Sequence, residues 1–314
     1  MGLLRIECVA LVYCLLTSLI IGALWTHLPL PTEQLEMRGL WLLATALTVL
    51  IALKWHNPLT CLIRTALQLA WLSIWYPDVY EFNRILPNLD HLFAQTEQTL
   101  FGCQPALWLH EWLPGPIWSE AFNLGYWSYF PMILVLSISI FFKEMRAQQL
   151  RLVVFKQTTT LVLCSFFLYY AIYMFLPVAG PQFYFCAVGT SEIAAGHFPA
   201  LGSYFSQPAE MLPAPGWSDG VFYHLVSNAQ SAGERPVAAF PSSHVGISTI
   251  IMILAFRRVR YVAWCLLPFW ILLVGATVYI QAHYAIDALA GLVSAPIILF
   301  LAYFFTNARR TNQA

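Results

Sequence analysis

The chain has 314 residues, of which 60% are hydrophobic and only 10% are charged, and its mean hydropathy is +0.68. A soluble domain usually carries about 25% charged residues, so this composition excludes an ordinary water-soluble enzyme. The formal net charge is zero, which gives no electrostatic reason to expect a nucleic-acid partner.

Long apolar segments follow one another along the chain. A helix needs roughly 17–25 mostly apolar residues to cross the hydrocarbon core of a bilayer. The sequence predicts eight spans: Glu7–Leu30, Gly39–Leu53, Leu59–Tyr76, Ala121–Phe142, Leu152–Pro177, Pro241–Phe256, Tyr261–Gln281 and Tyr284–Phe305. The second and sixth are short and the third contains an arginine, so counts of seven and six stay open. We therefore expect an all-α, polytopic membrane helix bundle.

Basic residues concentrate in the connections that fall on one side of these eight spans. They are Lys54, Lys143, Arg146, Arg151, Arg257, Arg258, Arg260, Arg309 and Arg310. Short loops rich in Lys and Arg remain in the cytoplasm, so we expect both termini to be cytoplasmic. Two long segments then lie on the opposite side, and we call Pro77–Glu120 the first outer segment and Val178–Ala239 the second outer segment.

The two outer segments differ in character. The first mixes apolar and polar residues, which predicts short helices lying in the membrane interface. The second is a Pro/Gly/aromatic segment long enough to cover a site. Cys103 and Cys186 are the cysteines of these segments, where a disulfide is permitted, and the sequence leaves open whether they pair. No cysteine spacing indicates a zinc site.

The stretch FPSSH, at 240–244, stands immediately before an apolar run. Pro241 and Ser242 are typical of a helix start, so His244 is expected in the first turn of a helix. The free N–H groups of such a turn attract anions, phosphate above all.

A second polar stretch, HYAID at 283–287, stands between two apolar runs. His283 and Asp287 are four residues apart, which places them on one face if the segment is helical. The carboxylate could then fix the tautomer of His283 and leave its other ring nitrogen free as a nucleophile. Each feature alone also has a structural explanation, but two histidines and a carboxylate at one membrane face together predict a functional site.

These two stretches resemble signatures of the type 2 phosphatidic acid phosphatase superfamily. FPSSH matches the Pro-Ser-x-His of its second signature, and HYAID matches the His-x-x-x-Asp of its third. The similarity covers roughly Ala121–Phe305, five of that fold's six core helices, with Leu59–Tyr76 as the remaining one. It implies a six-helix lipid-phosphatase-like core (59–314) that follows an N-terminal transmembrane hairpin (1–58). It also implies that His283 is the nucleophile, with Asp287 as its orienter and His244 as the general acid.

Departures from the superfamily pattern narrow the expected chemistry. Ala276 and Thr277 stand where the phosphatases usually carry Ser-Arg, and their first signature, Lys, six residues, then Arg-Pro, is not found in its proper place. The inositol phosphorylceramide synthase branch, and more distantly sphingomyelin synthase, lack the same residues. The stretches LPVAGPQFYF and LGYWSYF also resemble that branch.

The resemblance therefore implies a phosphotransferase with a phosphatidylinositol-like donor and a ceramide-like acceptor. A lipid phosphate phosphatase with the same triad is the alternative, and a transporter that uses the polar residues as an ion path is weighed against both. No metal or cofactor is expected, and the oligomeric state is left open. Candidate substrate-binding residues are Ser242, Ser243, Arg235, Tyr126, Tyr129, Asp90 and Gln182. The expected location is a bacterial inner membrane with a periplasmic site, or alternatively a Golgi-type membrane with a lumenal site.

Overall fold

The computed structural model describes residues 2–307, and this part of the chain is helical, with no β-strand. The helices are α1 Arg5–Ala23, α2 Pro31–Lys54, α3 Pro58–Ala70, α4 Leu72–Asn83, α5 Asp90–Phe101, α6 Pro105–Trp112, α7 Pro116–Trp127, α8 Tyr129–Arg146, α9 Val153–Phe175, α10 Pro181–Val188, α11 Thr190–Ala194, α12 Val221–Gly233, α13 Ser243–Arg258, α14 Arg260–Tyr279 and α15 Ala285–Asn307. The expected all-α class is confirmed. Arg309 and Arg310, which contributed to the predicted orientation, lie outside the described residues.

Five described helices are long and apolar enough to cross a membrane: α1, α2, α9, α14 and α15. Helices α7 and α8 bring the number to six if they form one span, which is bent by 48°. This agrees with a multi-pass membrane protein, while the count of eight and the orientation of the termini stay predictions.

Two further expected spans, besides the bent pair α7 and α8, differ from single long helices. The span Leu59–Tyr76 divides at Trp71 into α3 and α4. Helix α3 buries Arg64 and Gln68, and Pro77 lies inside α4, where it removes one backbone hydrogen-bond donor. The sixth expected span corresponds to α13, which has 16 residues.

The central bundle consists of α7, α8, α9, α13, α14 and α15, and α13 packs against α8, α9, α14 and α15. Helices α1 and α3 pack against α9 from outside this bundle, and α2 packs on α1 and α3. The short helix α13 is therefore surrounded by longer ones, and its N-terminal end is the part of the chain that carries the polar stretch 240–244. Whether the chain divides at residue 58 stays a prediction.

The start of α13 and the first turns of α15 are held in close contact. The backbone N–H of Ser242 donates to the carbonyl oxygen of Asp287 at 3.0 Å. A Cβ on Gly291 would lie 2.7 Å from the carbonyl oxygen of Ser242, so a larger residue there would force the two helices apart. This contact aligns the two polar stretches that lie about forty residues apart in the chain.

Short helices make up much of both outer segments. The first contains α5 and α6, in agreement with the expected short helices, and the second contains α10, α11 and α12. Cys103 and Cys186 are both free thiols, so the disulfide that the sequence left open is not formed.

Candidate active site

The two histidines singled out by the sequence lie side by side. Helix α13 begins at Ser243, with Ser242 as its N-cap accepting a hydrogen bond from the Val245 N–H, so His244 occupies the first turn as predicted. Nδ1 of His244 lies 3.3 Å from Nε2 of His283, and the rings meet edge to face. The fold thus brings the two imidazoles into direct contact.

His283 lies in the turn between α14 and α15 and is held by two backbone carbonyls. Its N–H donates to the carbonyl oxygen of Thr277 at 2.9 Å, and its ring Nδ1 lies 2.8 Å from the carbonyl oxygen of Ala239. Because a carbonyl oxygen only accepts, Nδ1 must carry the proton. Nε2 then keeps its lone pair and faces His244.

Asp287 does not make the contact that the i,i+4 spacing predicts. His283 precedes α15 instead of lying on it, and its Nδ1 is 3.7 Å from Oδ2 of Asp287, beyond hydrogen-bonding distance. Oδ2 accepts a hydrogen bond from the Tyr284 N–H at 2.9 Å, and Oδ1 has no hydrogen-bond partner among the described residues. The local orienter of His283 is therefore the Ala239 carbonyl, and Asp287 acts on the N-terminus of α15.

Burial lowers the pKa of His283 to about 4, and the hydrogen bond to Ala239 and the nearby Glu234 only partly oppose this shift. A buried imidazole is costly to protonate because its charged form loses hydration. His283 is consequently neutral near pH 7, which is the protonation state that a nucleophilic nitrogen needs.

The histidines line a narrow cavity. Its wall is formed by Tyr76, Tyr126, Ala179, Gln182, Phe183, Glu234, Val237, Ala238, Ala239, Ser243, His244, Ala282 and His283. The cavity volume is about 20 Å³, enough for about one water molecule. No Lys or Arg is among these residues. Most of the wall comes from the second outer segment, which is where the sequence predicts a cover for the site.

Four of the predicted substrate-binding residues lie at this cavity or against its histidines. Ser243 and Gln182 line it. Tyr126 also lines it and stacks on His244 with ring centroids 4.7 Å apart, while Tyr129 packs against the same imidazole at 4.5 Å. The two tyrosines thus restrict the position of the His244 ring.

Three other predicted substrate-binding residues are not part of the cavity wall. Ser242 is fully buried as the cap of α13. Arg235 turns its guanidinium to the carbonyl oxygen of Glu234 at 2.8 Å. Asp90 is also fully buried, and its carboxylate accepts hydrogen bonds from the N–H groups of Ala179 and Gly180. The polar groups of these three residues are already engaged with backbone. We therefore expect the three residues to support the walls of the site instead of binding a substrate.

Two polar residues that line the cavity are not among the site residues predicted from the sequence. They are Glu234 and Tyr76, and the sequence identifies Tyr76 only as the last residue of a predicted span. The Tyr76 hydroxyl donates to Oε1 of Glu234 at 2.6 Å across 158 positions of sequence. An acidic residue ten positions before His244, in a stretch whose one other charged side chain is Arg235, was the available signal, but its partner could not be found without the fold.

Comparison with known proteins identifies one family. The model of the PAP2 superfamily matches residues 93–301, about two thirds of the chain, including both histidines of the cavity. No curated protein and no solved structure matches the chain.

Proposed function

The chain belongs to the PAP2 superfamily, a group of phosphatase-type enzymes, and from this premise we propose that it is a membrane phosphotransferase acting on lipid phosphodiesters. The proposed reaction moves phosphoinositol from a phosphatidylinositol-like donor to ceramide or a similar lipid, as in the inositol phosphorylceramide synthase branch. The observation that carries the proposal is the contact of Nε2 of His283 with His244 in a cavity lined by no Lys or Arg.

The first step forms a phosphohistidine. Nε2 of His283, which holds a lone pair, attacks phosphorus, and the bond from phosphorus to the diacylglycerol oxygen breaks. His244, carrying a proton, passes it to this departing oxygen. Proton transfer of this kind typically contributes ~10²–10⁴-fold in rate. The two nitrogens are only 3.3 Å apart, so the rings must separate to admit a phosphoryl group.

The second step reverses these roles. His244, now neutral, removes the proton of the acceptor hydroxyl, and that oxygen attacks phosphorus while the bond to His283 breaks. Asp287 supports both steps as a positioning residue, because it anchors the first turn of the helix that follows His283. No step requires a metal or a cofactor.

The charges of the cavity favour a phosphodiester over a phosphomonoester. A diester carries one negative charge and a monoester nearly two, so the diester needs fewer cationic partners. The N–H group of His244, in the first turn of α13, has no acceptor among the described residues, and it can donate to a phosphoryl oxygen.

Hydrolysis is the second candidate function, with water as the acceptor on the same residues. The size of the cavity favours it, since about one water molecule fits beside His283. For either reaction we propose a bacterial inner membrane with the site toward the periplasm, with a Golgi-type membrane and a lumenal site as the alternative.

The two candidates separate in a reconstitution experiment. Purified protein receives phosphatidylinositol labelled at phosphorus, with or without ceramide, and His283→Ala protein receives the same. We expect an acid-labile labelled protein in the parent only, and labelled phosphoinositol ceramide when ceramide is present. Release of free phosphoinositol alone would reject transfer in favour of hydrolysis. Labelling that persists in His283→Ala would reject the assigned nucleophile.

A further inference from the structure

Glu234 is the one Asp, Glu, Lys or Arg among the residues that line the cavity. It directly follows α12, and its Oε1 accepts the Tyr76 hydroxyl at 2.6 Å. This contact joins the second outer segment to α4, which fixes the carboxylate beside the histidines. The cavity therefore contains a positioned negative group and no positive side chain to balance it.

Other carboxylates of the chain have evident structural partners. Glu7 and Asp78 are paired with buried arginines, while Glu120 and Glu144 accept hydrogen bonds from backbone N–H groups at helix starts. Glu234 has no cationic side chain within ion-pair distance among the described residues, and although its backbone N–H closes the C-terminus of α12, its carboxylate caps no helix start. Burial raises the pKa of the Glu234 carboxyl, because its charged form loses hydration. A carboxylate of this kind inside a cavity is typical of a functional group.

The location of Glu234 determines which part of a substrate it meets. In the proposed reaction the His283 nitrogen and the leaving oxygen occupy two positions at phosphorus, and the headgroup remains attached at a third. That headgroup must lie against the part of the wall that the histidines do not form, where Glu234, Tyr76 and Gln182 stand. A carboxylate there accepts hydrogen bonds from a headgroup and repels additional negative charge.

We propose that Glu234, positioned by Tyr76, is the headgroup-selecting residue of this cavity and takes phosphodiester lipids whose headgroups donate hydrogen bonds, while it disfavours phosphomonoesters. This rests on the proposed function and gives the substrate class a specific contact. The donors are either the hydroxyls of a polyol or an ammonium group, since both are complementary to a carboxylate. Phosphatidic acid, a monoester with no headgroup donor, is the disfavoured class.

The test compares substrate preference in Glu234→Gln and parent protein. Glutamine keeps the size of the side chain and an oxygen that accepts the Tyr76 hydroxyl, but it removes the charge. Phosphatidylinositol, phosphatidylglycerol, phosphatidylethanolamine and phosphatidic acid are supplied in identical mixed micelles, and kcat/KM is measured for each. Glu210→Gln is the matched control, because Glu210 is exposed on the same outer segment and does not line the cavity.

We expect Glu234→Gln to raise the kcat/KM ratio of phosphatidic acid to the best phosphodiester by about tenfold, the size of a close like-charge interaction in a partly buried site. Tyr76→Phe should shift the ratio in the same direction by less, and Glu210→Gln should leave it unchanged. A preference of the parent protein for phosphatidylinositol and phosphatidylglycerol would identify recognition of headgroup hydroxyls. A preference for phosphatidylethanolamine would identify recognition of its ammonium group.

The proposal would be overturned if the kcat/KM ratio of phosphatidic acid to the best phosphodiester were the same in Glu234→Gln as in the parent. An equal fall of kcat/KM for all four lipids is one form of that result. Failure of the Glu234 proposal remains distinguishable from failure of the proposed function, because the acid-labile label on His283 tests the proposed function separately. A protein that forms this label but shows no change of preference retains the phosphotransferase mechanism and loses the role of Glu234.

Discussion

Two buried polar clusters in this protein are built in opposite ways. In the N-terminal region, Arg64 pairs with Glu7 through two hydrogen bonds, and Arg38 pairs with Asp78. At the cavity, His283 is neutral and faces His244, and Glu234 has no cationic side chain within ion-pair distance among the described residues. The first arrangement satisfies its charges within the fold. The second leaves reactive groups available, which distinguishes a structural cluster from a chemical one.

The comparison also shows how membrane location shapes polar side chains. A charge removed from water is tolerated when its partner and its hydrogen bonds come with it, as at Arg64. The imidazole of His283 avoids this cost by remaining neutral near pH 7. The cavity can therefore be buried without arginine or lysine in its wall, which supports the proposed phosphodiester substrate.

The sharpest test of the comparison is His244→Gln, because it alters the chemical cluster only. Loss of the acid–base group should lower kcat by about 10²–10⁴-fold for a natural phospholipid. A p-nitrophenyl phosphodiester should be affected much less, since its leaving group departs without a proton. The initial rates of both substrates give the measurement, and thermal unfolding in detergent serves as the folding control. Equal losses for both substrates would argue that His244 positions the site instead of donating a proton.

In the N-terminal cluster, Glu7→Gln should have the opposite effect, lowering stability instead of kcat. The variant leaves Arg64 buried without its charged partner, and removing one member of a buried ion pair costs about 3–5 kcal/mol of stability. The free energy of unfolding is measured in mixed micelles, and kcat is normalised to folded protein. We expect a large loss of stability with unchanged kcat.

The matched variant Glu7→Met/Arg64→Met replaces both charges by apolar side chains, and it should recover most of the stability that the single variant loses. If Glu7→Gln instead lowered kcat of the folded protein with unaltered stability, the two clusters would not differ in kind.

The smallest expected effect concerns pH. Because burial lowers the pKa of His283 to about 4, its neutral nucleophilic form persists as the pH falls from 8 to 5 and is lost only as the pH approaches 4. Labelling from a p-nitrophenyl phosphodiester should therefore be flat over the upper range. Glu234→Gln protein serves as the control for titration of the neighbouring carboxylate. A half-maximal rate near pH 6.5 would show a solvated histidine and contradict the buried nucleophile.

Much of the fold was readable from local sequence. Apolar run lengths predicted a multi-pass helical protein, and Ser242 before an apolar run predicted the start of α13 and the place of His244. These features depend on residues within about one helical turn or on composition over one span. The segment Leu59–Tyr76 differs from the expected single helix, because it forms two helices that meet at Trp71, and the first of them buries Arg64 and Gln68.

The sequence by itself therefore determined the helical class, the two polar stretches and the histidines within them. Only the tertiary structure decided that Ala239 orients His283, that Asp90 supports the wall of the cavity, and that Tyr76 holds Glu234. The physical reason is distance along the chain. Helix formation and capping are settled by near neighbours, whereas hydrogen bonds between groups tens to hundreds of positions apart form only when helix packing brings those groups together.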